Sequence, residues 1–313
     1  MTLIPGAVLC AGNLTKDILV WPVDQVVFNT TVWVEDIVNS LGGNGANTAF
    51  AIGRLGGRVR LVGLVGHDED GQQVLEQLES VGVELRVERS ELPTPVTVVV
   101  VRSDGARSFL HRPGASRHAF DQPLRFLPDL IEGCSHFHLA NPFSMPAMRE
   151  QAGAAVESAR AAGLTTSLDT GWDAKGQWLE VIRPCLPHLD LLFVNDGEAE
   201  KLSGSAEPCR AAEFFREHGV QCVIIKLGAQ GCAVFQNGAE LYVPGFKIEA
   251  VDSTGAGDCF AGAYLTALQR GLPAPEAARF ANAAGPLSAE RAGATTGLLG
   301  YDATMRWIAS RGE

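Results

Sequence analysis

No Gly-Lys dipeptide occurs anywhere in the 313 residues, so the Walker A loop of P-loop kinases cannot be built. The tripeptide Asp-Phe-Gly is also missing, which removes a protein kinase. Two glycine loops are present, but Thr48 and Phe260 stand where the third glycine of a dinucleotide-binding fingerprint belongs, so a Rossmann dehydrogenase is disfavoured. Basic residues are scarce. A formal net charge of -11 argues against a general binder of nucleic acid or anionic membrane, while leaving room for a small anion held by local amides. No Cys-x-x-C pair exists, and the seven cysteines are odd in number and mostly flanked by apolar residues. They read as reduced core thiols of a cytosolic protein. No apolar run reaches the roughly 18 residues of a membrane helix. No Lys or Arg precedes Lys16, so the apolar "GAVLCAG" lacks the basic region of a secretory leader.

What is there is an alternation. "AVLCAGN" reads as a buried strand ending at Gly12, and "LGGNGANTAFAIGRLGG" passes from a glycine loop into a helix. "VRLVGLVG" is another strand, followed by a helix at "DGQQVLEQLESVG". From about Asp121 the apolar segments "CSHFHLA", "GLTTSLD", "LDLLFVN" and "CVIIKLG" alternate with helical stretches, the pattern of a doubly wound, mostly parallel sheet. Two β-rich insertions, at about 14–40 and 84–112, have no following helix to cover them, and Asp104-Gly105 marks a hairpin in the second. We expect residues 1–313 to form a single α/β domain carrying a small β lid built from both insertions. In such sheets ligands lie beyond the carboxyl ends of the strands.

The segment "DSTGAGDCFAGAY", Asp252 to Tyr264, is where chemistry is expected. Glycines bring main-chain N–H groups close to a ligand, and the following amphipathic run places a helix N-terminus, with its partial positive charge, behind them. The same field is expected to help keep Asp258 ionised. A carboxylate beside an anion cradle suits phosphoryl transfer, accepting the proton of a hydroxyl while the amides stabilise the transferred group. The plain alternative is a capped helix, for which Asp and Gly are ordinary choices.

"DSTGAGDCFAGAY" resembles the C-terminal signature of the PfkB, ribokinase-like carbohydrate and nucleoside kinases, and "GGNGANTAFAIGRLGG" is similar to their N-terminal signature, in family order and near opposite ends of the chain. The resemblance implies a ribokinase-like fold and an ATP- and Mg²⁺-dependent kinase acting on a primary hydroxyl of a sugar or sugar-like compound. It makes Asp258 the catalytic base and Gly255, Ala256 and Gly257 the anion hole. It places Asp17, Gly42, Gly43 and Asn47 on the acceptor, and Lys226, Gly228, Gly231 and Asn282 along the nucleotide. "NDGE" resembles the N-x-x-E motif, so Asn195 is assigned to the nucleotide side and Glu198 to Mg²⁺ through water; a capping box fits the same four residues. Asp252 falls in the region that holds a monovalent cation such as K⁺ in ribokinase-like members. The family also implies a homodimer through the lid.

Several residues stay open between two readings. Asp169 and Asp173 either line the site or cap a helix. Phe28, Trp33 and Phe109 stack on a nucleobase, as in a nucleoside kinase, or pack the lid or a dimer contact. Arg107 and Arg112 greet an acidic sugar or sit on the surface. Asn44 stands where many ribokinases carry Lys, which weakens the case for ribose. His111, His136, His138 and Trp172 show no metal-ligand spacing and read as structural or rim residues. A non-catalytic sugar or nucleotide sensor on the same fold is the alternative from another class.

Overall fold

The computed structural model describes residues 3–311. Nine strands form the main sheet, in the order β13-β12-β11-β10-β9-β8-β1-β4-β5, and four form a separate small sheet, β3-β2-β6-β7. In chain order the strands are β1 (Ala7–Gly12), β2 (Thr15–Trp21), β3 (Asp36–Gly42), β4 (Val59–Gly66), β5 (Glu84–Ser90), β6 (Val96–Val101), β7 (Arg107–Arg112), β8 (Cys134–Ala140), β9 (Thr165–Asp169), β10 (Leu191–Asn195), β11 (Cys222–Lys226), β12 (Gly231–Gln236) and β13 (Ala239–Pro244). From β5 across to β11 every pairing in the main sheet is parallel; only β12 reverses direction, pairing antiparallel to both neighbours.

Both faces of this sheet are covered, which explains the near-continuous apolar strands. Successive side chains point to opposite faces. Val8 and Cys10 of β1 enter one core with the helices Asn44–Arg54, Ala256–Gln269 and Ala274–Ser288, while Leu9 and Ala11 enter the other with Pro146–Ala161 and Pro208–Glu217. Strand β10 divides in the same way, with Leu191 and Phe193 on the first face and Leu192 and Val194 on the second. All seven cysteines are free, and five of them are buried. Among the described residues no helix is long and apolar enough to cross a membrane.

The small sheet takes both insertions, but its second half begins at Val96. Residues 84–90, expected in the lid, pair with β4 from Arg60↔Glu84 to Gly66↔Ser90 and close the edge of the main sheet. The helix Glu69–Glu79 makes the crossover that a parallel pair requires, so the covering helix precedes this strand instead of following it. Between β2 and β3 the chain has no regular structure, and there Phe28 and Trp33 are each 89% exposed.

Candidate active site

The N-terminal and C-terminal signatures meet because small residues let backbones touch. Gly12 at the end of β1 and Gly45 in the Asn44–Arg54 helix pack so closely that a Cβ on either would lie 2.7 Å from the other's main chain. Gly262 of the Ala256–Gln269 helix lies against Ala51 and the Thr48 carbonyl, where a Cβ would stand 2.8 and 2.9 Å away. The two helix starts therefore converge. The Asn44 side-chain amide donates to Asp258 Oδ1 at 2.8 Å, and that of Asn47 donates to Oδ2 at 2.9 Å. Asn47 Oδ1 is buried with no partner, an acceptor left over beside the carboxylate.

Asp258 is buried, and burial raises its pKa; the Asn47 and Asn44 hydrogen bonds and the nearby Lys226 oppose this without cancelling it. Burial is the largest influence on this carboxylate, so the help expected from the helix N-terminus does not bring its pKa down to the ordinary value. A raised pKa brings the carboxylate closer to the pH at which a general base works best.

Gly255, at φ 72°, begins the helix, and a Cβ there would lie 2.6 Å from that of Ala294. The amides of Gly255 and Gly257 have no hydrogen-bond partner among the described residues, as the first N–H groups of a helix do not. The Ala256 amide instead reaches the Ser253 carbonyl at 3.3 Å. Gly255, Gly257 and Asp258 line a cavity of about 500 Å³ with Asn195, Glu198 and Lys226. A second cavity, of about 510 Å³ and mainly apolar, shares Lys226, Gly228 and Gly257 with the first and adds Gly231, Phe260 and Asn282. The two cavities thus adjoin along the loop before the Ala256–Gln269 helix, and the second is the more apolar.

Lys226 does not stand free. Its Nζ pairs with both oxygens of Asp169, at 2.8 and 2.9 Å, and a Cβ on Gly257 would come within 3.2 Å of it. Burial opposes its charge, yet Asp169, Glu198 and Asp258 together hold its pKa above the ordinary value. The Asp169 pKa is raised, by burial first and by the neighbouring carboxylates Glu198 and Asp258. Asp169 therefore lines the cavity, whereas Asp173 binds the buried Arg149 and accepts from the Lys175 and Trp178 amides, a structural role.

Glu198 forms the capping box. Its Oε2 accepts from the Asn195 amide at 2.9 Å, while Asn195 Oδ1 accepts from the Glu198 amide, completing a capping box; Thr170 Oγ1 donates to the same Oε2. Glu198 lines the cavity, and among the described residues its hydrogen bonds fall on Oε2, which leaves Oε1 for a hydrated cation such as Mg²⁺. Among the described residues no group of three or more His, Cys, Asp or Glu could hold a metal directly. Asn282 lines the apolar cavity, but its amide nitrogen donates to the carbonyls of Val243 and Pro244, so its donors tie down strand β13.

In lid strand β2 Asp17 is buried, accepts from Thr15 Oγ1 at 2.9 Å, and has its pKa pushed up to about 6 by burial, with Asp252 and Asp258 adding to the effect. Gly42 makes room for it: a Cβ there would lie 2.2 Å from Asp17 Cγ. At Gly43, at φ 89°, a Cβ would likewise lie 2.5 Å from the Asn13 carbonyl oxygen. Asp252, expected beside a monovalent cation, already carries a cation from the chain itself, since Arg107 Nη1 donates to its Oδ1 at 2.9 Å. Arg112 donates to the Thr94 carbonyl. Asn141 went unnoticed in the sequence. It holds a left-handed turn at φ 49° after β8 and donates to Asn44 Oδ1 at 2.9 Å, orienting the amide that faces Asp258. His136 and His138 share hydrogen bonds with Ser167 inside the core, in keeping with their structural reading.

A doubly wound sheet with a small β lid, and a buried carboxylate at an amide-lined helix start, define a phosphotransferase of the kind that acts on an alcohol. The family model of the pfkB carbohydrate kinases matches residues 8–299, and the chain belongs to that family. It is 30% identical over 283 residues to Fructokinase-1 of Oryza sativa subsp. japonica, covering 83% of this chain and 86% of that one. It is 28% identical to Ribokinase of Haemophilus influenzae over 277 residues, 85% and 87% of the two chains. Among solved structures, Arabidopsis thaliana ribokinase complexed with ribose and ATP superposes with a TM-score of 0.84 at 25% identity, covering 97% of this chain and 98% of that one.

Proposed function

We propose that this sugar kinase transfers the γ-phosphoryl group of ATP to a primary hydroxyl of a neutral sugar, with Asp258 as the base. The observation that carries the reading is the shared chamber: the carboxylate of Asp258 and the free amides of Gly255 and Gly257 face one cavity, beside Lys226. ATP suits the apolar chamber for its base and the one beside Asp258 for its phosphates, and a ribokinase of similar fold has been solved with ribose and ATP. An E. coli protein described as a ribokinase II, solved with ATP and Mg²⁺ at a TM-score of 0.84 and 26% identity, supports Mg²⁺ as the companion ion. Glu198, with Asn195 beside it, would hold that ion through water, and the ion would offset phosphate charge.

In this reading Asp17 and Asn47 orient the acceptor, Asp258 takes its proton, and the amides with Lys226 receive the charge of the migrating group. Asn44 and Asn141 fix the carboxylate's direction. A neutral sugar is favoured because Arg107 and Arg112 are both engaged within the protein. A nucleoside acceptor loses its support, since Phe28, Trp33 and Phe109 are all exposed and line neither chamber. The test is ADP release, with Mg²⁺-ATP, over fructose, ribose, other neutral sugars, keto-deoxy acids and nucleosides. Tight sugar binding with no turnover on any of them makes the protein a sensor instead.

Asp17 gives this reading a pH signature. Its carboxylate, with a pKa of about 6, loses its charge as the pH falls through that value, so a sugar hydroxyl loses its acceptor. The acceptor KM is expected to rise about tenfold between pH 7.5 and 5 while the ATP KM stays within about twofold, whereas an ordinary aspartate near 3.9 titrates below that window. A flat acceptor KM over the window removes Asp17 from the sugar.

The lid is proposed to pair with a second copy of the chain. Val26, Phe28, Trp33, Ile37, Phe109 and Leu110 are between 55% and 89% exposed there, and such a patch is costly in water. Sedimentation is expected to show a dimer that Trp33→Asp converts to monomer; a monomeric wild type overturns the pairing.

A further inference from the structure

Arg107 is placed to join two parts of the molecule. It lies at the start of lid strand β7, and its side chain crosses to the three residues immediately before the anion loop. Nη1 donates to Asp252 Oδ1 at 2.9 Å and to Thr254 Oγ1 at 2.7 Å, and Nη2 donates to Ser253 Oγ at 2.6 Å. Asp252 is held from the core as well: the Thr254 amide donates to Oδ1 and the Gly293 amide to Oδ2, each at 3.0 Å. Its side chain is 3% exposed, that of Arg107 25%. A carboxylate so deeply placed needs a charged partner, and a guanidinium that bonds its oxygen directly leaves an added monovalent cation to meet repulsion there.

We propose that Arg107 is a positioning residue that supplies from the lid the positive charge required at Asp252, so that seating of the lid and shaping of the 255–257 amides are one event needing no monovalent cation. The kinetic part of this rests on the kinase reading; the structural part does not. Closing the lid brings the guanidinium onto Asp252, Ser253 and Thr254, which fixes the chain entering Gly255. Opening it leaves Asp252 buried without a countercharge and the loop free to shift.

Arg107→Met and Arg107→Lys test this in the full chain. Amide hydrogen exchange over residues 252–257, measured with the non-hydrolysable analogue AMP-PNP and Mg²⁺ bound, is expected to quicken at least about tenfold in Arg107→Met and less in Arg107→Lys, while exchange in β10 and β11 stays as in wild type. Turnover of wild type is expected to be the same in KCl as in tetramethylammonium chloride, to within about twofold, whereas Arg107→Met loses on the order of 10–100-fold in kcat with little change in ATP KM. KCl is expected to restore part of the variant's loss. Unchanged exchange over 252–257 in Arg107→Met, or a wild type that requires K⁺ for turnover, overturns the proposal. If no acceptor is phosphorylated by wild type, the kinase reading fails, and the exchange comparison still decides the role of Arg107.

Discussion

Asp258→Asn is expected to lower kcat by at least about 10²-fold, the lower end of what a positioned general base contributes. ATP binding and folding are expected to survive. The replacement keeps the shape of the side chain but presents one acceptor and one donor group to two amides that both donate to the carboxylate. Asn44 is committed, because its oxygen accepts from Asn141. Asn47 is not, because its oxygen has no partner, so its amide can turn over and accept from the new side chain. The sign of the stability change follows from burial. A carboxylate whose folded pKa is raised disfavours the fold increasingly as the pH climbs through that pKa, so the neutral amide is at no disadvantage at neutral pH and above. Urea denaturation and ATP titration separate this outcome from unfolding. A variant with near wild-type kcat would remove Asp258 from the role of base.

Lys226→Met is expected to be the most destabilising single change in the site. Asp169 has a side chain 6% exposed and takes both of its hydrogen bonds from this ammonium, with Glu198 and Asp258 nearby. Taking away one member of a buried pair leaves the other charge uncompensated, at a cost of about 3–5 kcal/mol, whereas replacing both members is often close to neutral. The double variant Lys226→Met/Asp169→Asn is therefore expected to recover most of the stability and none of the activity, since no cation then stands against Gly257. The pH dependence checks the cause. Asp169, already raised by burial, is raised further in the single variant, so that variant is expected to lose stability as the pH rises through the folded pKa and to be less impaired at pH 5 than at pH 8. A single variant whose urea midpoint matches wild type at pH 8 shows that the pair contributes nothing to the fold.

The parts of the site legible in the sequence are those made by neighbours in the chain. "GAGD" announces a helix start with free amides because glycine tolerates φ 72° and the apolar spacing after it is helical. "NDGE" announces a capping box in the same way, and Asn195 and Glu198 form it. Other roles depend on which strand lies beside which. Lys226 looks like a free phosphate ligand until β9 and β11, on either side of β10, bring Asp169 onto it from 57 residues away. Arg107 looks like a surface residue until the lid carries it to Asp252, 145 residues distant. Residues 84–90 alternate as a half-exposed strand would in either sheet, and only the crossover from β4 assigns them to the main one.

Runs of a few residues were enough to predict an α/β fold, and their resemblance to a family to predict a kinase with Asp258 as the candidate base, because loop conformation, helix starts and strand faces depend on short-range sterics. The tertiary structure alone decided which charges are paired, how far each carboxylate is desolvated, and which lid residue touches the loop before the anion hole. Those quantities depend on burial and on distances across the sheet, and neither has a value until the whole chain has packed.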